Sequence, residues 1–264
     1  MGLEIEDLTL GYRPKRGGEE RILQEHLTLK AEAGRLIALL GRNGVGKSTL
    51  LRVLAGVRRP LSGTVSLDGD ALLRLSPAER ARRIAFVTTE PVTAAHLRVH
   101  EVAAMGRAPY TGWFGTLSAE DERRVAEALE QVGMASFRDK TLDSLSDGER
   151  QRVMIARALA QDTPVMLLDE PTAFLDLPNR YHTVLLLRRL AHRTGKIVLF
   201  SSHDLSVALQ LCDLLWVMGR DGVEAGTPEE LVAGGAVERM FGELPLRCGP
   251  DGTVRLTDRF DERD

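Results

Sequence analysis

The chain has 264 residues, of which 43% are hydrophobic and 28% charged, as is typical of a soluble globular domain with or without an inserted subdomain. Its formal net charge of −3 argues against a nucleic-acid partner, which would require a basic face. No apolar run is long enough to cross a bilayer, the N-terminal segment is acidic, and Cys212 and Cys248 have no metal-ligand spacing. We therefore expect a cytoplasmic protein with reduced cysteines and no signal peptide.

The first predicted elements are strands. Positions 3–10 and 22–29 alternate apolar and polar residues, which predicts half-buried antiparallel strands around an exposed turn at 14–20. Positions 36–40 are apolar throughout, and a continuous apolar run of this length is typical of a strand that is buried on both faces.

The next segment carries a phosphate-binding pattern. Residues 41–49 read Gly-Arg-Asn-Gly-Val-Gly-Lys-Ser-Thr and match G-x-x-x-x-G-K-[ST], before a helical pattern at 47–55. Closely spaced glycines let successive backbone N–H groups turn toward a phosphate at the positive end of the helix. Lys47 would reach the β- and γ-phosphates, and the Ser48 hydroxyl would coordinate Mg²⁺. We expect a nucleoside triphosphate to contact Gly41, Arg42, Asn43, Gly44, Val45, Gly46, Lys47, Ser48 and Thr49.

The middle of the chain is mostly helical. A hairpin strand at 64–67, a capping box at 76–79 that begins a helix, and an apolar strand at 84–87 come first. From about 88 to 162 the pattern shows helices without a clear strand, including a capping box at 118–121 and a helix that ends at Gly133. We expect a helical subdomain at about 88–162, inserted into a single domain that spans 1–264.

Two carboxylates follow the next apolar strand. The run at 165–168 ends at Asp169 and Glu170, and a similar run at 197–200 precedes His203. Continuous apolar strands that alternate with helices predict a parallel sheet covered on both faces, with ligands at the carboxyl ends of its strands. Asp169 is suited to hold Mg²⁺ through water, and Glu170 to take a proton from an attacking water.

A further motif identifies the family. Residues 145–151 read Leu-Ser-Asp-Gly-Glu-Arg-Gln before a helix predicted at 152–160, and lie between the phosphate loop and the acidic strand end. The chain here resembles the nucleotide-binding subunits of ATP-binding cassette (ABC) transporters, whose signature is Leu-Ser-Gly-Gly-Gln, and the resemblance extends over about 3–231. It implies an α/β P-loop NTPase core with a parallel sheet, an N-terminal antiparallel β subdomain and an inserted helical subdomain.

The resemblance also implies a role for each matching residue. Tyr12 would stack on adenine, Glu170 would be the catalytic base and His203 would contact the γ-phosphate, while Lys47 would bind phosphate and Asp169 would serve the Mg²⁺ site. Other positions would act across a dimer. The signature would contact the ATP bound to the opposite subunit through Ser146, Asp147, Gly148 and Glu149. The 173–176 segment, with Asp176, would communicate between the two subunits.

In this family, the site residues that bind one ATP come from two subunits, which implies a particular assembly. The resemblance implies an ATPase that closes as a head-to-tail homodimer around two ATP molecules with Mg²⁺. It also implies separate integral-membrane permease subunits, and through them a substrate-binding protein. The subunit would then lie peripherally on the cytoplasmic face of the plasma membrane.

The chain departs from the family pattern at two places. Thr89 stands where the family has a glutamine in the hinge loop, and its side chain is too short to reach Mg²⁺ as an amide would. Either Glu90 substitutes as a ligand or the contact is made through water, and we expect the loop to act mainly as a mechanical hinge. Asp147 replaces the first glycine of the signature, and we expect it to point away from phosphate and to cap the adjacent helix.

A last pair of motifs suggests the transport class. Residues 106–110, Gly-Arg-Ala-Pro-Tyr, and 117–121, Leu-Ser-Ala-Glu-Asp, resemble segments in the ATPases of importers for iron-siderophore, haem and vitamin B12. The aromatic residues at 105–114 could belong to the core of the helical insert or contact a partner. Two alternatives stay open: the ATPase of an exporter, and a soluble ABC ATPase that acts on nucleic acid or ribosomes.

Overall fold

The computed structural model describes residues 2–13, 20–89, 96–112, 115–220, 222–241, 246–249 and 253–256. Its strands are β1 (Gly2–Tyr12), β2 (Arg21–Glu32), β3 (Leu36–Gly41), β4 (Ser62–Leu67), β5 (Asp70–Ala71), β6 (Ile84–Val87), β7 (Val165–Leu168), β8 (Ile197–Ser202), β9 (Leu214–Met218), β10 (Val223–Gly226), β11 (Leu246–Cys248) and β12 (Val254–Leu256). Its α-helices are α1 (Lys47–Leu54), α2 (Pro77–Ala81), α3 (Val99–Ala104), α4 (Ala119–Gln131), α5 (Asp147–Ala160), α6 (Leu177–Thr194), α7 (Leu205–Leu211), α8 (Pro228–Ala233) and α9 (Ala236–Phe241).

Two sheets confirm the predicted mixed architecture. The N-terminal sheet has the strand order β2-β1-β4-β5 and is antiparallel. The larger sheet has the order β10-β9-β3-β8-β7-β6, in which only the pairing of β10 with β9 is antiparallel. The carboxyl ends of β3, β7 and β8 therefore lie side by side at one edge of this sheet, where open α/β sheets bind ligands.

The central strands lie between two apolar cores, which explains why they carry no polar alternation. Along β3, Leu36, Ala38 and Leu40 pack into a core shared with α3, α4, α5 and α6. Ile37 and Leu39 face the opposite core, which also contains α1 and the antiparallel sheet. Since successive side chains of a strand point to opposite faces, both faces of β3 must be apolar.

The chain between β6 and β7 forms helices α3, α4 and α5, which pack on one another through side chains such as Val102, Val125 and Ile155. Between 96 and 162, the described residues form a single isolated β-bridge, from Arg98 to Thr141, and no strand. Among the residues that the structure describes, no helix has both the length and the apolar character needed to cross a membrane.

Helix α5 begins earlier than predicted. It starts at Asp147, whereas the sequence pattern placed its start at 152. The reason is a capping box: the Ser146 hydroxyl accepts from the backbone N–H of Glu149, whose carboxylate accepts from the backbone N–H of Ser146. The same signal was recognised at Ser76 and Ser118, and both predicted boxes are confirmed.

Candidate nucleotide-binding site

The phosphate loop connects β3 to α1 at the centre of the parallel sheet. Gly46, the residue before the helix, has a φ of 121°, which side chains with a Cβ rarely adopt. Gly41 lies so close to β9 that a Cβ would come within 2.7 Å of the Met218 carbonyl oxygen. Glycine is therefore required at both positions for the chain to leave the strand, wrap and enter the helix.

Lys47 is held over this loop. Its side chain is only 5% exposed, and its ammonium donates hydrogen bonds to the carbonyl oxygens of Gly41, at 2.7 Å, and Arg42, at 3.3 Å. Burial lowers the pKa of Lys47, while the nearby carboxylates of Glu170 and Asp169 act in the opposite direction. A buried cation held by neutral carbonyls is well placed to bind an anion that enters the loop.

The end of β7 meets the phosphate loop. Asp169 is buried, and its Oδ1 atom accepts hydrogen bonds from the hydroxyls of Ser48, at 2.9 Å, and Ser201, at 2.8 Å. The structure thus brings together Ser48 and Asp169, which are 121 residues apart in the sequence and which we predicted to share a metal site. Ser201, from the end of β8, was not predicted.

Glu170 follows Asp169 in a left-handed backbone conformation, with a φ of 48°. Its backbone N–H donates to the Ser201 hydroxyl at 2.8 Å, and its Oε2 atom lies 3.9 Å from Nδ1 of His203. The predicted base and the predicted γ-phosphate contact are therefore neighbours.

These residues surround an open cleft of about 550 Å³. Of the predicted residues, the cleft is lined by Tyr12, Asn43, Gly44, Gly46, Lys47, Ser48, Thr49 and Glu170. Two residues of β2, Arg21 and Leu23, also line it and were missed by sequence analysis. Arg21 is the residue opposite Tyr12 in the antiparallel pairing of β1 with β2. The alternation of apolar and polar residues predicts the two strands but does not determine which residues face each other.

Tyr12 lies at the entrance of the cleft and is 41% exposed. Its hydroxyl is 3.3 Å from the Thr49 hydroxyl, and the guanidinium of Arg58 lies 4.2 Å from the ring centroid. An aromatic ring held in this way, beside a phosphate-binding loop, can stack on a nucleobase.

The signature residues do not line this cleft. Ser146 and Asp147 are exposed at the start of α5, while Gly148 is buried so close to α6 that a Cβ would lie 3.1 Å from Oδ1 of Asn179. The expectation that Asp147 caps the helix was wrong, because Ser146 is the N-cap. Asp147 is instead the first helical residue, and its carboxylate points outward to Arg150, at 3.2 Å.

The predicted communication segment lies next to the signature. Asp176 is the N-cap of α6, where its Oδ1 atom accepts from the backbone N–H of Asn179 at 3.0 Å. Before it, Phe174 has a φ of 63° and is 87% exposed. Asn179 in turn lies against Gly148, so the start of α6 packs on the start of α5.

In the segment predicted to act as a hinge loop, Thr89 makes a contact that was not predicted. Its hydroxyl donates to the backbone carbonyl oxygen of Asp169 at 2.9 Å. Glu90, the proposed substitute ligand, lies outside the described residues.

The two motifs used to suggest a transport class contact each other. Arg107 donates from Nε to Oδ1 of Asp121, at 2.8 Å, and from a terminal nitrogen to the Ala160 carbonyl oxygen. The ring of Tyr110 lies 3.9 Å from the Arg107 guanidinium, and a Cβ on Gly106 would overlap the carbonyl of Arg157. Gly106 and Arg107 therefore belong to the core of the helical region, whereas Trp113 and Phe114 lie outside the described residues.

Comparison with known proteins agrees with this geometry. Residues 24–173 match the family model described as ABC transporter. The chain is 38% identical over 246 residues to the achromobactin transport ATP-binding protein CbrD of Dickeya dadantii, with 93% of this chain and 89% of that protein covered. It is also 38% identical over 248 residues to the ferric enterobactin transport ATP-binding protein FepC of Escherichia coli, with 93% and 88% covered.

Among solved structures, the chain is similar to the ATP-binding cassette MJ0796 in a dimeric post-hydrolysis state bound to ADP and Pi. The TM-score is 0.72 at 27% identity, with 86% of this chain and 98% of that chain covered.

Proposed function

The chain belongs to the ABC transporter family, and we propose that it is the ATP-hydrolysing subunit of an importer whose permease subunits are separate proteins. The observation that carries the ATP-hydrolysing role is the convergence on one cleft of Lys47, Ser48, Glu170 and Tyr12, with Asp169 hydrogen-bonded to Ser48. These groups can bind a triphosphate, hold a nucleobase and accept a proton from water.

Each group would contribute separately to hydrolysis of ATP. Lys47 and the loop N–H groups would bind the β- and γ-phosphates and stabilise the charge that develops on them. Glu170 would accept a proton from the attacking water, and His203, beside it, would contact the γ-phosphate. Tyr12 would stack on the base, so that stacking and phosphate contacts together fix the position of the nucleotide.

The donor set at the end of β7 fits Mg²⁺. The Ser48 hydroxyl and a carboxylate oxygen of Asp169 lie 2.9 Å apart, and oxygen donors in small number are typical where Mg²⁺ binds together with substrate phosphates. Within the described residues, no cluster of three or more His, Cys, Asp and Glu side chains could hold a metal by protein ligands alone. Mg²⁺ bound at Ser48 and Asp169 would neutralise charge on the phosphates.

A second copy of the chain would complete the site. Ser146 is exposed and lies outside the cleft, as expected if the signature contacts the ATP of a partner subunit. The similar cassette MJ0796 is dimeric with ADP and Pi. We infer a head-to-tail homodimer in which ATP favours closure and hydrolysis favours release, with Asp176 and the exposed Phe174 near the contact.

The proposed cargo class is iron-siderophore, haem or cobalamin, moved through permease subunits that receive substrate from a binding protein. The importer motifs at 106–110 and 117–121 support this class, as do relatives named for transport of achromobactin and ferric enterobactin. The subunit would lie on the cytoplasmic face of the membrane. Reconstitution with a cognate permease, followed by uptake of each cargo into vesicles, tests the class; outward transport would favour an exporter.

Mixing two inactive variants tests the shared site. Ser146→Arg should block the signature, and Lys47→Ala should block the phosphate loop, so each homodimer is inactive. A heterodimer contains one site with both defects and one with neither, and partial recovery of ATPase activity is expected. Ser76→Arg, which removes an equivalent capping box at α2, controls for the loss of the helix cap. Absence of recovery, although heterodimers form, would contradict a shared site in which one intact half turns over.

A further inference from the structure

Two hydroxyl groups hold the peptide that joins Asp169 to Glu170. The Thr89 hydroxyl donates to the Asp169 carbonyl oxygen at 2.9 Å. The Ser201 hydroxyl donates to Oδ1 of Asp169 at 2.8 Å and accepts from the backbone N–H of Glu170 at 2.8 Å. The carbonyl, the carboxylate and the next amide of one dipeptide are therefore each bound to a side-chain hydroxyl.

The two hydroxyls approach β7 from either side, Thr89 from just beyond the end of β6 and Ser201 from within β8. In the sheet, Val87 of β6 pairs with Leu168, which pairs in turn with Phe200 of β8, and the backbone N–H of Asp169 donates to the Val87 carbonyl. Backbone pairing of β7 with β6 ends at this point. Beyond the last regular backbone bonds of β7, the side chains of Thr89 and Ser201 continue its hydrogen bonding on each side, at the Asp169 carbonyl and the Glu170 amide.

Glu170 needs this attachment because of its backbone conformation. Its φ of 48° is unfavourable for a residue that has a Cβ, and such conformations persist where the surroundings fix them. The turn that follows adds a backbone bond at Glu170, from the N–H of Ala173 to the Glu170 carbonyl. Ser201 is fully buried, so its bonds are not exchanged for bonds to bulk water.

We propose that Thr89 and Ser201 are positioning residues that fix the Asp169–Glu170 peptide and so aim the Glu170 carboxylate into the cleft. This inference rests on the proposed role of Glu170 as the base. Thr89 lies shortly beyond the end of β6. Its hydroxyl makes a contact with the Asp169 carbonyl that a glutamine side chain, which has no hydroxyl, cannot make in this form.

Hydrogen exchange of the nucleotide-free protein tests the positioning directly. Ser201→Ala removes the acceptor of the Glu170 amide, and exchange at that amide should become about tenfold faster, as expected for the loss of one buried hydrogen bond. Ser202→Ala is the matched control, because the Ser202 hydroxyl is equally buried and accepts from the Asp204 amide instead. Equal exchange at Glu170 in Ser201→Ala and the wild type would overturn the proposal.

Turnover provides the second readout. Thr89→Val keeps the shape of threonine without the hydroxyl, and we expect kcat to fall about threefold with an unchanged dissociation constant for ATP. Thr89→Ser should restore turnover, and Thr88→Val should have no effect, since no hydrogen bond joins Thr88 to this peptide in the described structure. Equal kcat in Thr89→Val and Thr89→Ser would overturn the part of the proposal that concerns Thr89.

The two proposals fail in different ways. If Glu170→Gln retains wild-type turnover, Glu170 is not the base, yet the exchange rate of its amide in Ser201→Ala still decides whether Ser201 positions the peptide. If both hold, adding Ser201→Ala to Glu170→Gln should lower residual turnover by much less than Ser201→Ala alone lowers the turnover of the wild type, because the hydroxyl acts through Glu170. Additive losses would contradict positioning of that carboxylate.

Discussion

Replacing Asp121 with asparagine removes the negative charge from an ion pair that is almost completely buried. The side chains of Arg107 and Asp121 are 7% and 8% exposed, and their Nε and Oδ1 atoms are 2.8 Å apart. The pair joins the start of α4 to the segment after α3, and Arg107 extends the connection to the Ala160 carbonyl at the end of α5. The change therefore affects the packing of all three helices between β6 and β7.

The loss of unfolding free energy in Asp121→Asn depends on the contacts that Arg107 keeps. Removal of one partner from a buried ion pair costs about 3–5 kcal/mol, because the other charge stays buried without compensation. Arg107 keeps its bond to Ala160 and its contact with the Tyr110 ring, and asparagine can still accept from the Ser118 amide. We therefore expect the lower end of that range, about 3 kcal/mol of unfolding free energy.

The pH dependence has a definite sign. Hydrogen bonds from Ser118, followed by that from Arg107, lower the pKa of Asp121 from 3.8 to about 2. A carboxylate whose pKa is lower in the folded state contributes its full stabilisation of the folded protein above its unfolded-state pKa. This contribution is lost as the pH falls through the folded-state pKa. The difference between wild type and Asp121→Asn should thus be constant above pH 4 and shrink between about pH 4 and pH 2.

Urea unfolding at pH 7 and pH 3 measures both effects. Glu120→Gln is the matched control, because Glu120 pairs with arginines on the exposed surface of the same helix turn and should contribute little. An unfolding free energy for Asp121→Asn as close to wild type as that of Glu120→Gln would show that the buried pair contributes no more than a surface pair.

Three further outcomes follow from the contacts. Tyr12→Ala should weaken binding of both ATP and GTP by about 1–3 kcal/mol in calorimetry, since stacking does not read a base edge. Nucleotide affinities equal to those of the wild type would show that Tyr12 does not stack on the base. Gly106→Ala should lower the unfolding temperature, because its Cβ would overlap the Arg157 carbonyl; Gly112→Ala, with open space around its Cβ, should not. Cys212, whose pKa is raised by burial, should resist alkylation at pH 8 until the protein unfolds, and rapid labelling of the folded protein would contradict its burial.

Local signals were predictable from the sequence, whereas contacts between distant segments were not. The phosphate loop is a short motif whose glycine positions and following helix are set by neighbouring residues, and capping boxes depend on residues three apart. Ser48 and Asp169 could be paired because carboxyl ends of parallel strands meet at one edge. No such rule places Thr89 on the Asp169 carbonyl, 80 residues away, or Ser201 on the Glu170 amide.

The misassigned start of α5 has a different cause. The capping signal Ser146-x-x-Glu149 is present in the sequence, but it coincides with the signature, for which the resemblance implies a ligand contact. The two roles are compatible. Ser146 caps α5 with its hydroxyl and backbone, and it is still exposed at the surface, where a partner could contact it. The position of Asp147 follows from this, because the first helical residue directs its side chain outward to Arg150.

Turnover and ATP affinity of Glu170→Gln test the central proposal, that this carboxylate accepts the proton of the attacking water. The amide retains the shape of the side chain but cannot act as a base at neutral pH. We predict an unchanged dissociation constant for ATP, a fall in turnover of about 10²–10⁴-fold, and a dimer that persists with ATP on a sizing column. Wild-type turnover in Glu170→Gln would contradict the assignment of the base and the mechanism built on it.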